Sequence, residues 1–279
     1  MESFVQIEGI QLCVERRGKG RPLLLIPGLG AGNWLWQRNL HGLAKHFELI
    51  MPELRGSGRS DKPDHFYSIT LFASDMLELL DALALSRVHV LGASMGGFVA
   101  QHFAAKWPER VEKLILVSTS LGGQCQEGPD GETLSRIIRP RGRTRRERLQ
   151  DAYPFHFSEN YLARNAADVE RITEWRDQHP QPEFAYYRQL LAGNAYSAHR
   201  DAAAIAAPTL VCAGKDDPLV PPINAHRLNE RIPRSKLLLF EGKHLFFVEH
   251  NHLFNATAVE FLRDGELAYS QEKSVAANP

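Results

Sequence analysis

A serine, a pair of aspartates and a histidine stand in this sequence where they could carry out acyl transfer. Ser94 is the middle residue of the stretch GASMG, which fits the pattern G-x-S-x-G. A serine hydroxyl is a weak nucleophile unless a base takes its proton, and that base needs an acid to orient it. Asp216 and Asp217 follow one short apolar run and His244 follows another. The sequence therefore offers the acid and the base that such a serine needs.

The residues around Ser94 predict a tight turn between a strand and a helix. An apolar run at 89–91 stops at Gly92, and a helical pattern begins after Met95. Small neighbours let the strand and helix pack closely while the serine adopts strained backbone angles. The start of the helix would offer free N–H groups and a positive dipole end to a developing anion. A glycine-rich turn with a serine of no function is the alternative interpretation.

The rest of the chain supplies the elements that must position these residues. Short apolar runs alternate with helical patterns, which predicts a mostly parallel sheet covered by helices on both faces. Before residue 121 the predicted elements are a hairpin of 4–7 with 11–16, strands at 22–26, 47–51, 89–91 and 113–117, and helices at 34–45, 70–85 and after Met95.

The alternation stops after residue 121. From 122 to about 200 there is no buried-strand run, and the segment is rich in Arg, Gln and Glu. The alternation then resumes with a strand at 209–213, a helix at 222–230, a strand at 236–240 and a helix at 251–262. We therefore expect a core formed by 1–121 and 201–279, with a helical insert at 122–200 after the sixth strand. The end of the chain after residue 264 is polar.

Composition limits the possible partners. Lys plus Arg and Asp plus Glu number 33 each in 279 residues, and this balance argues against nucleic acid or an anionic membrane as the main partner. There is no secretory pattern at the start, and no apolar run approaches the roughly 20 residues that span a bilayer. Cys13, Cys125 and Cys212 are distant from one another and odd in number, so free thiols and a cytoplasmic location are expected. We expect no metal site and no cofactor, because the histidines form no H-E-x-x-H pattern.

Four stretches together resemble the α/β-hydrolase superfamily, in its compact capped form that includes small esterases, enol-lactonases and C–C bond hydrolases. The stretches are the serine turn GASMG, LLLIPGLGAGNWLW (similar to the oxyanion loop), ELRGSGRSDKP (similar to D-x-R-G-x-G-x-S) and WPERVEKLILV (similar to the passage after the nucleophile). The resemblance covers nearly the whole chain except the insert. It implies an α/β-hydrolase sheet flanked by helices, with the insert as a helical cap.

The resemblance implies a role for each candidate residue. Ser94 would be the nucleophile and His244 the base. The acid of the family usually falls three residues after a glycine, here Gly214, which selects Asp217 and leaves Asp216 as the alternative.

The resemblance also implies an oxyanion hole made of two backbone N–H groups, those of Leu29 and Met95. Two positions depart from the common pattern of the family. Pro27 stands where histidine is usual, and Glu53 replaces the usual aspartate before Leu54. Proline fixes its φ angle and has no N–H to donate, so the loop would hold its shape by rigidity.

The expected function is hydrolysis of a carboxylic ester by a carboxylesterase or lactonase, with a small-molecule ester or acyl compound as substrate. Alternatives are a C–C bond hydrolase of dienoate-type ketones and an acyl-carrier methyl ester esterase. A ligand receptor without catalysis is the third alternative, because fold does not fix function.

Substrate choice is expected to reside in the insert. Its aromatic residues, with Trp34, Trp36 and Phe98, are candidates for an apolar pocket or for simple packing. Residues 136–149 carry seven arginines, which are either a solvated surface or a site for an anionic partner, such as a substrate carboxylate or an acidic acyl carrier.

Overall fold

One eight-stranded sheet organises the computed structural model, which describes residues 2–138 and 144–264. The order of the strands across the sheet is β1-β2-β4-β3-β5-β6-β7-β8. The strands are β1 (Glu2–Ile7), β2 (Ile10–Arg17), β3 (Arg21–Ile26), β4 (Phe47–Pro52), β5 (Val88–Ala93), β6 (Val111–Val117), β7 (Thr209–Gly214) and β8 (Ser235–Phe240). The hairpin β1–β2 and the pair β2–β4 are antiparallel, and every other pair in this sheet is parallel. The predicted α/β class and the mostly parallel sheet are confirmed.

Helices cover both faces of the sheet, because the strands in the middle of the sheet are apolar on both sides. All six residues of β5 and all six of β7 are buried. The helices are α1 (Gln37–Leu43), α2 (Ile69–Ala82), α3 (Met95–Lys106), α4 (Gly131–Ile138), α5 (Arg145–His156), α6 (Glu159–Arg164), α7 (Ala166–Gln178), α8 (Glu183–Asn194), α9 (His199–Ala204), α10 (Ile223–Arg231), α11 (Phe246–Glu249) and α12 (Asn251–Asp264). One hydrophobic cluster joins the sheet to α2, α3 and α10, and a second joins it to α1, α11 and α12.

The described residues between β6 and β7 form mainly helices, as their sequence predicts. These helices are α4 to α9, and α9 runs across residue 200, where the insert was expected to end. The start of α5 is stabilised by a capping box, in which the Thr144 hydroxyl accepts from the Glu147 N–H and the Glu147 carboxylate accepts from the Thr144 N–H. Within the described ranges, no helix has the length and apolar character that crossing a membrane requires. The polar tail at 265–279 lies outside the described residues.

A buried histidine in β5 predicts that the protein loses stability in acid. The His89 ring packs edge-on against Phe47 with ring centroids 5.7 Å apart. Neither of its nitrogens has a hydrogen-bond partner within the part of the chain that the structure describes. Burial lowers the pKa of His89 to about 4, although the Glu112 carboxylate opposes the shift. The ring is therefore neutral in the folded protein at pH 7.

We expect His89→Leu to weaken this acid dependence. An unfolded histidine titrates near pH 6.5, so between about pH 6.5 and pH 4 protons bind the unfolded chain in preference to the folded one. The contribution of the neutral His89 ring to the free energy of unfolding is complete above pH 6.5 and is lost as the pH falls towards 4. From pH 7 to pH 4 the free energy of unfolding of the wild type should drop by about 3 kcal/mol more than that of the variant. Urea denaturation across this pH range measures both curves, and parallel curves would contradict the prediction.

Candidate active site

Ser94 lies where β5 ends and α3 begins, in the strand–turn–helix setting that its sequence predicts. Its backbone has φ 54° and ψ −121°, a strained conformation for a residue with a side chain. The turn is held by two backbone hydrogen bonds, from the Ser94 N–H to the Val117 carbonyl (2.9 Å) and from the Gly97 N–H to the Ser94 carbonyl (2.8 Å). The glycine at 96 is required because a Cβ there would collide with the backbone at Ile26. Close packing of strand, helix and neighbouring loop thus sets the position of the serine.

The end of β6 ties Ser94 to the loop that carries His244. The Thr119 hydroxyl donates to the Ser94 carbonyl at 2.8 Å, and the hydroxyl of its neighbour Ser118 donates to the His244 carbonyl at 2.7 Å. Ser118 has a positive φ of 48°. Sequence reasoning singled out neither residue, because nothing in a strand-end Ser-Thr pair distinguishes such a link from an ordinary loop.

Asp217, and not Asp216, is the aspartate next to His244. The His244 Nδ1 lies 2.8 Å from the Asp217 Oδ2, and the two residues are 5% and 3% exposed. The other oxygen, Oδ1, accepts from the N–H groups of Leu219 (2.9 Å) and Val220 (3.0 Å), which fixes the carboxylate in its loop. Asp216 is exposed. Because the aspartate occupies Nδ1, the Nε2 of His244 is left for another partner.

The loop after β3 passes directly over Ser94. A Cβ added to Gly28 would lie 3.0 Å from the Ser94 Cβ and 3.6 Å from its Oγ, so a larger residue here would press against the serine. The next residue is Leu29, whose N–H donates to no other residue in the described part of the chain. The Met95 N–H is the first of α3, and the first N–H groups of a helix have no partner within it. These two N–H groups thus belong to the residues that directly follow Gly28 and Ser94, which approach each other here.

A buried glutamine from α8 holds this loop in place. The Gln189 Nε2 donates to the Arg55 carbonyl (2.9 Å) and to the Ser57 hydroxyl (2.8 Å). Its Oε1 accepts from the Gly30 N–H at 3.1 Å and from the Gln181 Nε2 at 3.0 Å. Sequence reasoning missed Gln189, since its partners Gly30, Arg55 and Ser57 lie more than a hundred residues away.

The carboxylate of Glu53 also stabilises the region of this loop. The fully buried Glu53 accepts from the Asn33 N–H (3.3 Å) and from the Arg59 N–H (2.6 Å). Arg55 forms a buried ion pair with Asp75. Glutamate thus takes over a structural position at which the superfamily pattern expects aspartate.

His156, at the end of α5, brings the inserted helices to the site. Its ring meets the His244 ring nearly at right angles, with centroids 5.8 Å apart, and its carbonyl accepts from the Leu245 N–H at 2.9 Å. Burial is the main reason that the pKa of His156 is lowered to about 3, and repulsion from Arg176 and from the His244 ring, when that ring is protonated, acts in the same direction. A neutral ring whose Nδ1 lies 2.8 Å from the Ala152 carbonyl must donate from that nitrogen. Its Nε2 is therefore a hydrogen-bond acceptor.

The structure shows where some of the candidate pocket aromatics and some arginines of the 136–149 run lie. Trp36 and Phe157 are fully buried in the core, whereas Phe184 and Tyr187 are 38% and 56% exposed, so these four do not form a shared pocket. Within the run, Arg136 pairs with Asp151, and Arg146 pairs with Glu170 and Asp177. The arginines at 139, 141 and 143 lie outside the described residues.

Comparisons with known proteins place the chain in a family. The family model described as "alpha/beta hydrolase fold" matches residues 21–251. A poly(3-hydroxyalkanoate) depolymerase of Ectopseudomonas oleovorans is 31% identical over 242 residues, which cover 87% of this chain and 84% of the relative. The serine hydrolase BPHL of Mus musculus is 30% identical over 270 residues, covering 93% and 85%.

A solved structure shows the same fold. The enol-lactonase from Burkholderia xenovorans LB400 superposes with a TM-score of 0.84 at 24% identity, over 94% of this chain and all of that one. The chain belongs to the α/β-hydrolase family of enzymes.

Proposed function

We propose that the protein is a serine hydrolase that cleaves carboxylic esters through an acyl-enzyme, with Ser94 as nucleophile, His244 as base and Asp217 as the orienting acid. The observation that carries the proposal is the 2.8 Å hydrogen bond between His244 Nδ1 and Asp217 Oδ2. It leaves His244 Nε2 to act on a serine that the strained turn presents at the end of the sheet.

Each step follows from these positions. His244 takes the proton of Ser94 as the serine oxygen attacks the ester carbonyl. The N–H groups of Leu29 and Met95 bind the developing oxyanion. His244 then gives the proton to the leaving alcohol, and water repeats the sequence to release the acid. Asp217 keeps the proton of His244 on Nδ1 before the attack and stabilises the imidazolium that forms.

The name of one relative supports an ester substrate. The depolymerase of Ectopseudomonas oleovorans acts on a poly(3-hydroxyalkanoate) by its name, and such a polymer is joined by ester bonds.

The inserted helices, which we propose form a cap at 122–200, contact the site through His156 and Gln189. A cap of this kind would shelter the acyl-enzyme and shape the pocket for a small substrate.

A panel of substrates tests the proposal. Purified protein is assayed with p-nitrophenyl esters from acetate to decanoate, together with a lactone and a dienoate-type ketone. We expect turnover of at least one ester well above the rate with buffer alone. Turnover of the ketone without any ester would instead support C–C bond hydrolysis. Turnover of none of these compounds would contradict the proposed function.

A further inference from the structure

Arg176 is a deeply placed cation in α7, close to the loop that covers Ser94. Its guanidinium carbon lies 5.4 Å from the centroid of the Trp34 ring. Trp34 belongs to the single helical turn Asn33–Trp36, which follows the loop containing Leu29. The Arg176 side chain is surrounded by protein and yet keeps part of its surface accessible. A ligand can reach the cation through this accessible part of the side chain.

No carboxylate neutralises this cation within the described residues. Arg55, which is also buried, has Asp75 as its partner. The groups that favour the charge of Arg176 are instead the hydroxyls of Tyr153 and Tyr186, which are phenols and not carboxylates. Burial lowers the pKa of Arg176, and the positive charge of the neighbouring Arg145 lowers it further. A buried charge is normally paired, because the loss of its hydration is otherwise uncompensated.

Other buried groups around Arg176 also lack acceptors. The Trp34 indole N–H and the Arg145 Nε have no hydrogen-bond partner in the part of the chain that is described. Among the described residues, Arg145 donates from its terminal nitrogens only to main-chain carbonyls, those of Gln181 and Arg176. Hydrogen-bond donors therefore exceed acceptors here, which is the arrangement that an anion would satisfy.

Two other partly accessible residues connect Arg176 with the candidate active site. His156 and Tyr186 are, like Arg176, deeply placed but partly accessible. The His156 ring contacts His244, and the Tyr186 ring lies 3.4 Å from where a Cβ of Gly30 would be. A ligand that contacts His156 and Tyr186 would lie next to the base and the covering loop, and both of these residues are close enough to Arg176 for its charge to act on them.

We propose that Arg176 binds a carboxylate group of the substrate, so that the natural ester carries a second, anionic carboxylate. This inference deepens the proposed ester hydrolysis and rests on it for the reaction, but not for the binding. The planar guanidinium offers paired N–H donors that match the two oxygens of a carboxylate. The bound carboxylate supplies the missing counter-charge. Recognition of an anion is thus assigned to one buried arginine outside the 136–149 run.

Binding of free dicarboxylates tests the subsite without any turnover. Calorimetry with glutarate, adipate and suberate is done on the wild type, Arg176→Gln and Arg176→Lys. Arg171→Gln is the matched control, because Arg171 lies on the same helix with a side chain that is 71% exposed. We expect at least one diacid to bind the wild type and the control equally, and to bind Arg176→Gln roughly 10- to 100-fold more weakly. Lysine, which lacks the fork, should give an intermediate affinity. Absence of binding to the wild type, or equal binding to Arg176→Gln, would overturn the proposal.

Kinetics with matched esters extends the test. Mono-p-nitrophenyl esters of the same diacids are compared with their methyl-capped, neutral counterparts. In Arg176→Gln, kcat/KM for the charged ester should fall roughly 10- to 100-fold, while kcat/KM for the neutral ester stays within about threefold. An equal loss for both esters would overturn the proposal. Diacid binding that depends on Arg176, without hydrolysis of any ester, would refute the proposed function and leave the subsite standing.

Thermal unfolding separates this role from a structural one. Removal of an unpaired buried cation relieves its desolvation penalty, so the melting temperature of ligand-free Arg176→Gln should equal or exceed that of the wild type. The diacid should then raise the melting temperature of the wild type more than that of the variant. A lowered melting temperature in the ligand-free variant, with equal ligand shifts, would make Arg176 a structural residue.

Discussion

Replacement of Ser94 by alanine is expected to abolish ester hydrolysis and to leave the fold intact. Without the hydroxyl no acyl-enzyme forms, and loss of a serine nucleophile in a well-studied hydrolase costs about 10⁶-fold in kcat. The strained turn should tolerate the change, because alanine is smaller than serine and Ala84 already adopts a similar φ of 53° in this chain. The melting temperature should therefore change little.

Two measurements check the Ser94 prediction. One is kcat on the best p-nitrophenyl ester, and the other is the mass added by a fluorophosphonate, which reacts with an activated serine. The control is Ser86→Ala, because Ser86 is an exposed serine. In the kinetic assay the unlabelled wild type and this control should both be active, and in the labelling assay each should gain one label. Ser94→Ala should gain none. Full turnover in Ser94→Ala, with unchanged unfolding, would end the serine-hydrolase interpretation.

Asp217→Asn should lower kcat by about 10⁴-fold, the cost of this change in a well-studied triad. The reason lies in the hydrogen bonds of this loop. The Leu219 and Val220 N–H groups need an acceptor at the Oδ1 position, so the asparagine amide nitrogen would take the Oδ2 position facing His244. An N–H₂ there donates to Nδ1 and moves the histidine proton to Nε2. The base would then have no lone pair for the serine proton.

Matched variants make the triad prediction specific. Asp216→Asn should change kcat only a few-fold, because Asp216 is exposed and the contact with His244 is made by Asp217. His244→Ala should be at least as damaging as Asp217→Asn. His250→Ala and His252→Ala should be mild. Steady-state kinetics across these variants decides the assignment, and strong damage from Asp216→Asn with mild damage from Asp217→Asn would reverse it.

Local sequence patterns were sufficient to locate the sheet and the three candidate catalytic residues. Apolar runs of three to five residues become strands because both faces of a parallel sheet are buried. The glycines next to Ser94 are needed because strand, helix and loop approach too closely for any side chain. A glycine at the end of β7 followed by acids indicates a loop at the same sheet edge as the serine. These signals depend on near neighbours, so they can be read from one stretch of chain.

Other features of the site were decided only by tertiary structure. The resemblance selected Asp217 by its spacing from Gly214, but only the packed chain shows that the carboxylate of Asp217, and not that of Asp216, contacts His244. Gln189 and His156 act through contacts with loops far along the chain. Most arginines are solvated or paired, so the type of residue says nothing about Arg176. Its significance arises from burial without a carboxylate partner, and burial is a property of the packed chain that no local pattern encodes.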